Sequence, residues 1–298
     1  MDVTLILQQL INGLSLGSLY GLIAIGYTMV YGVLRLINFA HGDIMMVGTY
    51  IALFGISVLL LPWWASFLLA MALTAALGVT IDKIAYKPLR SASRISSLIT
   101  AIGVSFLLEN IFLVLFGGIP KSFPIPGIFA GVIHISGVTI PVVNTYIPIV
   151  AIVFLLILLQ ILHHTKYGIA MRSISLDIDT TRLMGVNVDA IISIVFAVGS
   201  SLAAVGGILW AMKYPAINPF MGIMPGLKAF AAAVLGGIGD VTGAAIGGFI
   251  IGITEILMVA IVPDFAGYKD AFAFLLLILV LLFKPTGIMG TDLERGRF

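Results

Sequence analysis

The chain has 298 residues, 61% of them hydrophobic and only 9% charged, with a mean hydropathy of +1.20. Soluble domains carry about 25% charged residues, so a soluble globular fold is excluded and an all-α polytopic membrane protein is expected. The formal net charge of +2 says little, because the placement of Lys and Arg matters more than their sum; membrane lipid and no nucleic acid is the expected surrounding, and the absence of cysteine removes disulfides, cysteine-ligated zinc and thiol catalysis.

The first ten residues, MDVTLILQQL, contain an acid and no Lys or Arg ahead of the apolar run, unlike the basic start of a cleavable leader; the first helix is expected to stay. About 20 apolar residues cross the hydrocarbon core as a helix. On that scale the predicted spans are 9–34, 43–61, 63–81, 95–116, 146–162, 190–212, 242–262 and 271–283. A shorter apolar piece at 227–235 is expected to span or to re-enter, giving about eight transmembrane helices and one half-length segment. The stretch 117–148, with Pro120, Pro124, Pro126, Pro141 and Pro148, reads as an irregular extramembrane loop.

Basic residues set the orientation. Arg35, then Lys83, Lys87, Arg90 and Arg94, then Lys166, Arg172 and Arg182, and finally Lys284, Arg295 and Arg297 make eleven of the fifteen Lys and Arg. Their segments are expected to be cytoplasmic. Provided the 227–235 piece crosses or nearly crosses the membrane, Lys121, Lys213, Lys228 and Lys269 fall in the alternating segments, so the N-terminus is expected outside and the C-terminus inside. Trp63 and Trp64 suit an outer interfacial belt. Gly42-Asp43 and Gly239-Asp240 each precede a small-residue helix, and Lys87-Pro88 and Lys284-Pro285 close the following hairpins at the same offset of 44 from Asp to Lys. This suggests an internal parallel repeat.

Polar residues at membrane depth mark either a polar path or a membrane-face loop. Asn38, Phe39, His41 and Asp43 lie in LRLINFAHGDIMMVGTY, between two apolar runs. They either face a substrate route, where an amino acid's ammonium and carboxylate need partners, or sit at a boundary with Asp43 capping the next helix. Glu109, Asn110 and Glu255 lie inside spans and are further path candidates. Met45, Met46 and Tyr50 either line the route or pack. Glycines at 13, 17, 21 and 26, and again at 236, 237, 239, 243, 247 and 248, permit close helix approach, with Gly243 and Gly247 at small-xxx-small spacing.

The longest polar segment on the inner side is 163–189. Ser175 can cap a short helix there, Asp177 and Asp179 sit near its positive end, and Gly185 suits the left-handed C-terminal position. Leu176, Thr180, Leu183 and Met184 form one narrow apolar stripe. Such a helix either lies on lipid or docks in a groove of a soluble partner.

The segment resembles the coupling loop of ABC importer permeases, in which Glu-Ala-Ala is followed by three residues and Gly. Asp179-Thr180-Thr181 and Gly185 occupy that frame, although none of the three named positions keeps the consensus residue. The resemblance widens to branched-chain amino acid permeases of the LivH type. It rests on GLSLGSLYGLIAIGYTMVYGVLRLINFAHGDIMMVGTY from Gly13, KYGIAMRSISLDIDTTRLMGVNV from Lys166, LKAFAAAVLGGIGDVTGAAIGG from Leu227 and FKPTGIMG from Phe283. What it implies is one transmembrane permease domain over 1–298 in a bacterial inner membrane, with 163–189 as its coupling loop. It also implies a second related permease, two cytoplasmic ATPases that hydrolyse the ATP, and a periplasmic binding protein delivering leucine, isoleucine or valine. No G-x-x-x-x-G-K-[ST] loop occurs, so the chain is expected to be no enzyme and to bind no cofactor or metal itself.

Three alternatives stand beside this. Urea and short-amide permeases are near relatives in sequence style. An ion-coupled carrier would use Glu109 and Glu255 as proton sites. Gly237-Ile238-Gly239-Asp240 matches one signature of intramembrane aspartyl proteases, but the Tyr-Asp pair that would accompany it is missing, and a helix-capping Asp240 accounts for the same letters.

Overall fold

The computed structural model describes residues 3–90, 92–135 and 137–290, so Arg295 and Arg297 lie outside the described residues. Eleven α-helices follow in chain order: α1 (Val3–Leu34), α2 (His41–Ser57), α3 (Trp63–Ile81), α4 (Arg94–Phe116), α5 (Val142–His164), α6 (Lys166–Leu176), α7 (Ile178–Leu183), α8 (Val188–Lys213), α9 (Ile223–Gly236), α10 (Val241–Ile261) and α11 (Lys269–Phe283). Among the described residues, seven helices are long and apolar enough to cross a membrane. The eighth expected span is α2, 17 residues long, and the half-length piece is α9, 14 residues long. The fold is all-α and polytopic, as expected.

The loop after α4 is less irregular than its prolines suggest. Strand β1 (Lys121–Ser122) pairs antiparallel with β4 (Ala216–Ile217), and β2 (Val132–Ile135) pairs with β3 (Val138–Pro141), with Val132 opposite Pro141. Helix α5 then starts at Val142, ahead of the predicted span 146–162 and within the stretch expected to be loop. Pro148 is inside the helix, where its ring leaves one carbonyl of the preceding turn without its usual N–H donor.

The chain divides into two compact units. The first comprises Met1–Thr28, Ile125–Leu155 and Lys228–Phe298. Here α1 and α10 meet backbone to backbone. A Cβ on Gly17 would lie 2.7 Å from Phe249 Cα, one on Gly13 would lie 3.0 Å from Ile253 Cα, and Gly248 and Gly252 face Gly21 and Gly17 in return. With no side chain on either side, dispersion contacts run along the main chains themselves. Gly243 and Gly247 serve a different neighbour, packing on Gly236 and Ala232 of α9. The C-terminal carbonyls of α9 are satisfied by the FKPTGIMG segment: Ile288 N–H donates to Leu235 O at 2.9 Å and Met289 N–H to Gly236 O at 2.8 Å. Asp240 caps α10 by accepting from Gly243 N–H at 2.5 Å.

The second unit comprises Met29–Pro124 and Leu156–Leu227. Helix α2 is largely apolar beyond His41 and Asp43 in its first turn, and most of its residues are buried. A Cβ on Gly48 would lie 2.6 Å from that of Ala204 on α8, and one on Gly55 would lie 2.8 Å from Ser66 Oγ on α3. Helix α3 does not stop cleanly. It runs into a π-helical turn, Asp82–Tyr86, and then a 3-10 turn, Lys87–Leu89. Wide turns of this kind re-aim side chains and are frequent at functional positions.

Candidate coupling segment and polar strip

The 163–189 segment folds as two helices with a sharp break between them. At the break Asp177 is extended, with φ −154° and ψ 113°, and its carboxylate accepts from Asp179 N–H at 2.9 Å, Thr180 N–H at 3.0 Å and the Thr180 hydroxyl at 2.8 Å. The N-cap of the short helix is therefore Asp177, which corrects the expectation for Ser175. A carboxylate can accept these bonds together, whereas a serine Oγ offers less. Ser175 still belongs to α6, where its hydroxyl donates to Arg172 O at 2.7 Å. Its carbonyl accepts from the Arg35 guanidinium at 3.1 Å. Arg35 itself ends α1 at φ +53°, an unusual conformation for a non-glycine residue. Gly185 ends α7 in the left-handed region at φ +84°.

The apolar stripe points outward. Leu183 is 87% exposed, Met184 80% and Leu176 68%, while Thr181 of the same helix turns inward at 5%. Asp179 and Arg182 are exposed beside them, 3.7 Å apart. A polar segment that holds two large apolar side chains almost fully clear of its own protein presents a small anchor patch.

The Asn38 to Asp43 strip is enclosed within the second unit. Asn38, His41 and Asp43 are each at most 2% exposed, and Phe39 is half-buried. Asn38 Oδ1 accepts from the Tyr86 hydroxyl at 2.9 Å. Its Nδ2 has no hydrogen-bond partner among the described residues. Asp43 does not cap α2. The cap residue is Ala40, and the Asp43 carboxylate instead accepts from the Ser105 hydroxyl of α4. Glu109, one turn further along α4 and 5% exposed, interacts with the same carboxyl. Beyond them Tyr50 packs on Phe112 and Phe116, with ring centroids 5.2 and 4.7 Å away. Met45 and Met46 are fully buried packing residues.

The remaining candidates stand apart from this strip. Asn110 is exposed on the outer face of α4 and donates to Phe106 O of its own helix at 2.7 Å. Glu255 belongs to the first unit, where it is 4% exposed. Its Oε1 lies 2.8 Å from Lys228 Nζ and its Oε2 accepts from the Tyr20 hydroxyl at 3.0 Å. Lys228 reaches Asp270 at 2.5 Å as well and stands 5.6 Å from the Tyr20 ring centroid. Sequence reasoning used Lys228 only to orient the chain. The signal that points to the pair is a lone Lys in an apolar helix, which needs a carboxylate at membrane depth.

The family described as branched-chain amino acid transport system / permease component matches residues 9–281. The chain is 43% identical over 295 residues to the high-affinity branched-chain amino acid transport system permease protein BraD of Pseudomonas aeruginosa, covering 95% of each chain. It is 42% identical over 297 residues to the corresponding permease protein LivH of Escherichia coli (strain K12), again covering 95% of each. Among solved structures it is similar to PsaBC from Streptococcus pneumoniae in complex with Fab, at 14% identity and a TM-score of 0.43, over 95% of this chain and 92% of that one. On the extent and identity of these sequence matches, the chain belongs to the branched-chain amino acid transport system permease family.

Proposed function

We propose that this integral membrane permease is the membrane subunit of an ATP-driven importer for branched-chain amino acids in a bacterial inner membrane. It works beside a second related permease, two cytoplasmic ATPases that hydrolyse the ATP, and a periplasmic binding protein that delivers the substrate. The chain itself carries no ATPase chemistry. It acts as one permease body over 1–298, with its N-terminus outside and its C-terminus in the cytoplasm.

The observation that supports this reading most directly is the outward apolar stripe of Leu176, Leu183 and Met184 around the capped α7. Such a helix suits a groove on a moving partner. Closure of the ATPase pair displaces α7, and the displacement reaches α8 through the short link 184–187. The bundle then rocks between states open to opposite sides, each favoured by different partner contacts. Coupling is mechanical, so the chain needs a stiff lever and a firm socket more than a reactive group.

The substrate route includes the strip of Asn38, Phe39, His41, Asp43 and Glu109, whose polar atoms can answer an amino acid's ammonium and carboxylate when helices rearrange. Asn110, exposed on α4, and Glu255, paired with Lys228, are the further path candidates outside this strip.

Co-expression with the ATPases and the binding protein, followed by mass measurement of the purified complex and uptake of radiolabelled leucine into proteoliposomes, tests the reading. ATP-dependent uptake that needs the binding protein supports it. Uptake by the permease alone under a proton gradient would identify an ion-coupled carrier, and a complex that moves urea but not leucine would identify an amide permease.

A further inference from the structure

The π-helical turn at the end of α3 has a polar grip at each end. At one end Asp82, fully buried, accepts from Arg90 at 2.6 Å and from the Ser193 hydroxyl of α8 at 2.7 Å. The other arm of the Arg90 guanidinium reaches Asp189 at 2.5 Å, and Lys87 reaches the same carboxylate at 2.8 Å. Asp189 lies in the first turn of α8, four residues after Gly185 closes α7. Asn187, between them, caps α8 by accepting from Ala190 N–H at 3.1 Å.

At the other end of the turn Tyr86, also fully buried, donates to Asn38 Oδ1 at 2.9 Å and rests its ring 5.3 Å from that of Phe196. Asn38 carries the backbone into α2, because its carbonyl accepts from His41 N–H at 3.0 Å. Two sets of hydrogen bonds, joined through the main chain of the π-turn itself, therefore link the α7–α8 junction to the foot of α2, and every member lies in one compact unit. The guanidinium fork suits this role because it bridges two carboxylates in one plane, which a lysine cannot do. The π-turn follows directly on α3, and single π-turns in helices are rare and frequent at functional sites.

We propose that the π-turn Asp82–Tyr86 passes motion from the α7–α8 junction to Asn38, with the Arg90 fork between Asp189 and Asp82 as its input and the Tyr86–Asn38 hydrogen bond as its output. This rests on the coupling reading of α7 given above. Asp189, Arg90, Asp82 and Tyr86 are positioning residues in it: they contact neither nucleotide nor substrate.

Two mild variants test it in the complete transporter, reconstituted with its ATPases and binding protein. Asp189→Asn removes the charge that Lys87 and Arg90 both pair with, and one of its two acceptor oxygens, at a half-exposed position while leaving the buried Arg90–Asp82 pair intact. Tyr86→Phe removes one hydroxyl and keeps the ring. Radiolabelled leucine taken up per ATP hydrolysed is expected to fall about fivefold or more in each, with ATPase association unchanged, as coupling energies along such networks allow. The double variant is expected to be no worse than either single one, because both interrupt the same link. An unchanged ratio, an additive double variant, or loss of ATPase association in Asp189→Asn each overturns the proposal. Leu183→Asp with Met184→Asp is the separating control. If it leaves ATPase association intact, the coupling reading itself fails. If it abolishes association while the two mild variants transport normally, only the π-turn proposal fails.

Discussion

Replacing Lys228 with Met exposes how the first unit manages charge. The ammonium is 4% exposed and bridges Glu255 at 2.8 Å and Asp270 at 2.5 Å. Of the two carboxylates, Asp270 is 34% exposed and can exchange its partner for water, whereas Glu255, at 4%, keeps only the Tyr20 hydroxyl at 3.0 Å. Removing one partner of a buried pair costs about 3–5 kcal/mol, because an uncompensated charge stays behind. Glu255→Gln is milder: Lys228 retains Asp270, the amide keeps a bond to Tyr20, and the cost is about 1–2 kcal/mol. Lys228→Met with Glu255→Gln carries no stranded charge and is expected to recover about 2 kcal/mol relative to Lys228→Met alone. Reversible unfolding in mixed micelles, followed by tryptophan fluorescence, measures all three. A Lys228→Met protein within about 0.5 kcal/mol of the parent, or a Glu255→Gln protein less stable than Lys228→Met, refutes the reasoning.

Three further outcomes follow from local geometry. Asp177→Ala removes three bonds from a six-residue helix, should cost about 1 kcal/mol locally, and should weaken ATPase retention in a pull-down; unaltered retention counts against the cap's role. Gly185→Trp should insert normally yet lose uptake, since its Cβ meets open space within this chain and the bulk projects toward a partner; Gly185→Asn, which tolerates the left-handed backbone, should transport. Gly17→Leu forces atoms onto the α10 backbone and should destabilise by about 1–3 kcal/mol, whereas Gly103→Ala on the open face of α4 should be neutral or stabilise by up to about 1 kcal/mol. Equal melting behaviour of those two variants would remove the packing argument.

What could be read from the letters was local. Asp240 and Gly185 announce a helix start and a helix end because capping depends on a few adjacent residues. The apolar runs locate the spans because lipid imposes one length on all of them. The cap at Asp177 was harder, since Ser175 two positions earlier carries the same kind of signal and only the helix phase decides between them. Asp43 was ambiguous for another reason: its partner, Ser105, arrives from a different helix. The partners in long-range pairings were not legible: a lone Lys228 in an apolar helix announces that it needs a carboxylate, but nothing in its segment names Glu255, and nothing near Arg90 names Asp189. The π-turn leaves no mark at all in DKIAY, and α5 begins before Pro148 although a proline there reads as a boundary.

Where α1 meets α10 the surface in contact is peptide, and peptide has the same shape whatever the gene spells on either side of it. Inheritance at this seam is therefore strict in a particular way: Gly17, Gly248 and Gly252 cannot admit a single methyl group without shifting a backbone. A saturation library would show these glycines refusing even alanine, while the buried Leu16 and Leu19 beside them accept apolar residues of similar size, a pattern easily mistaken for a binding motif.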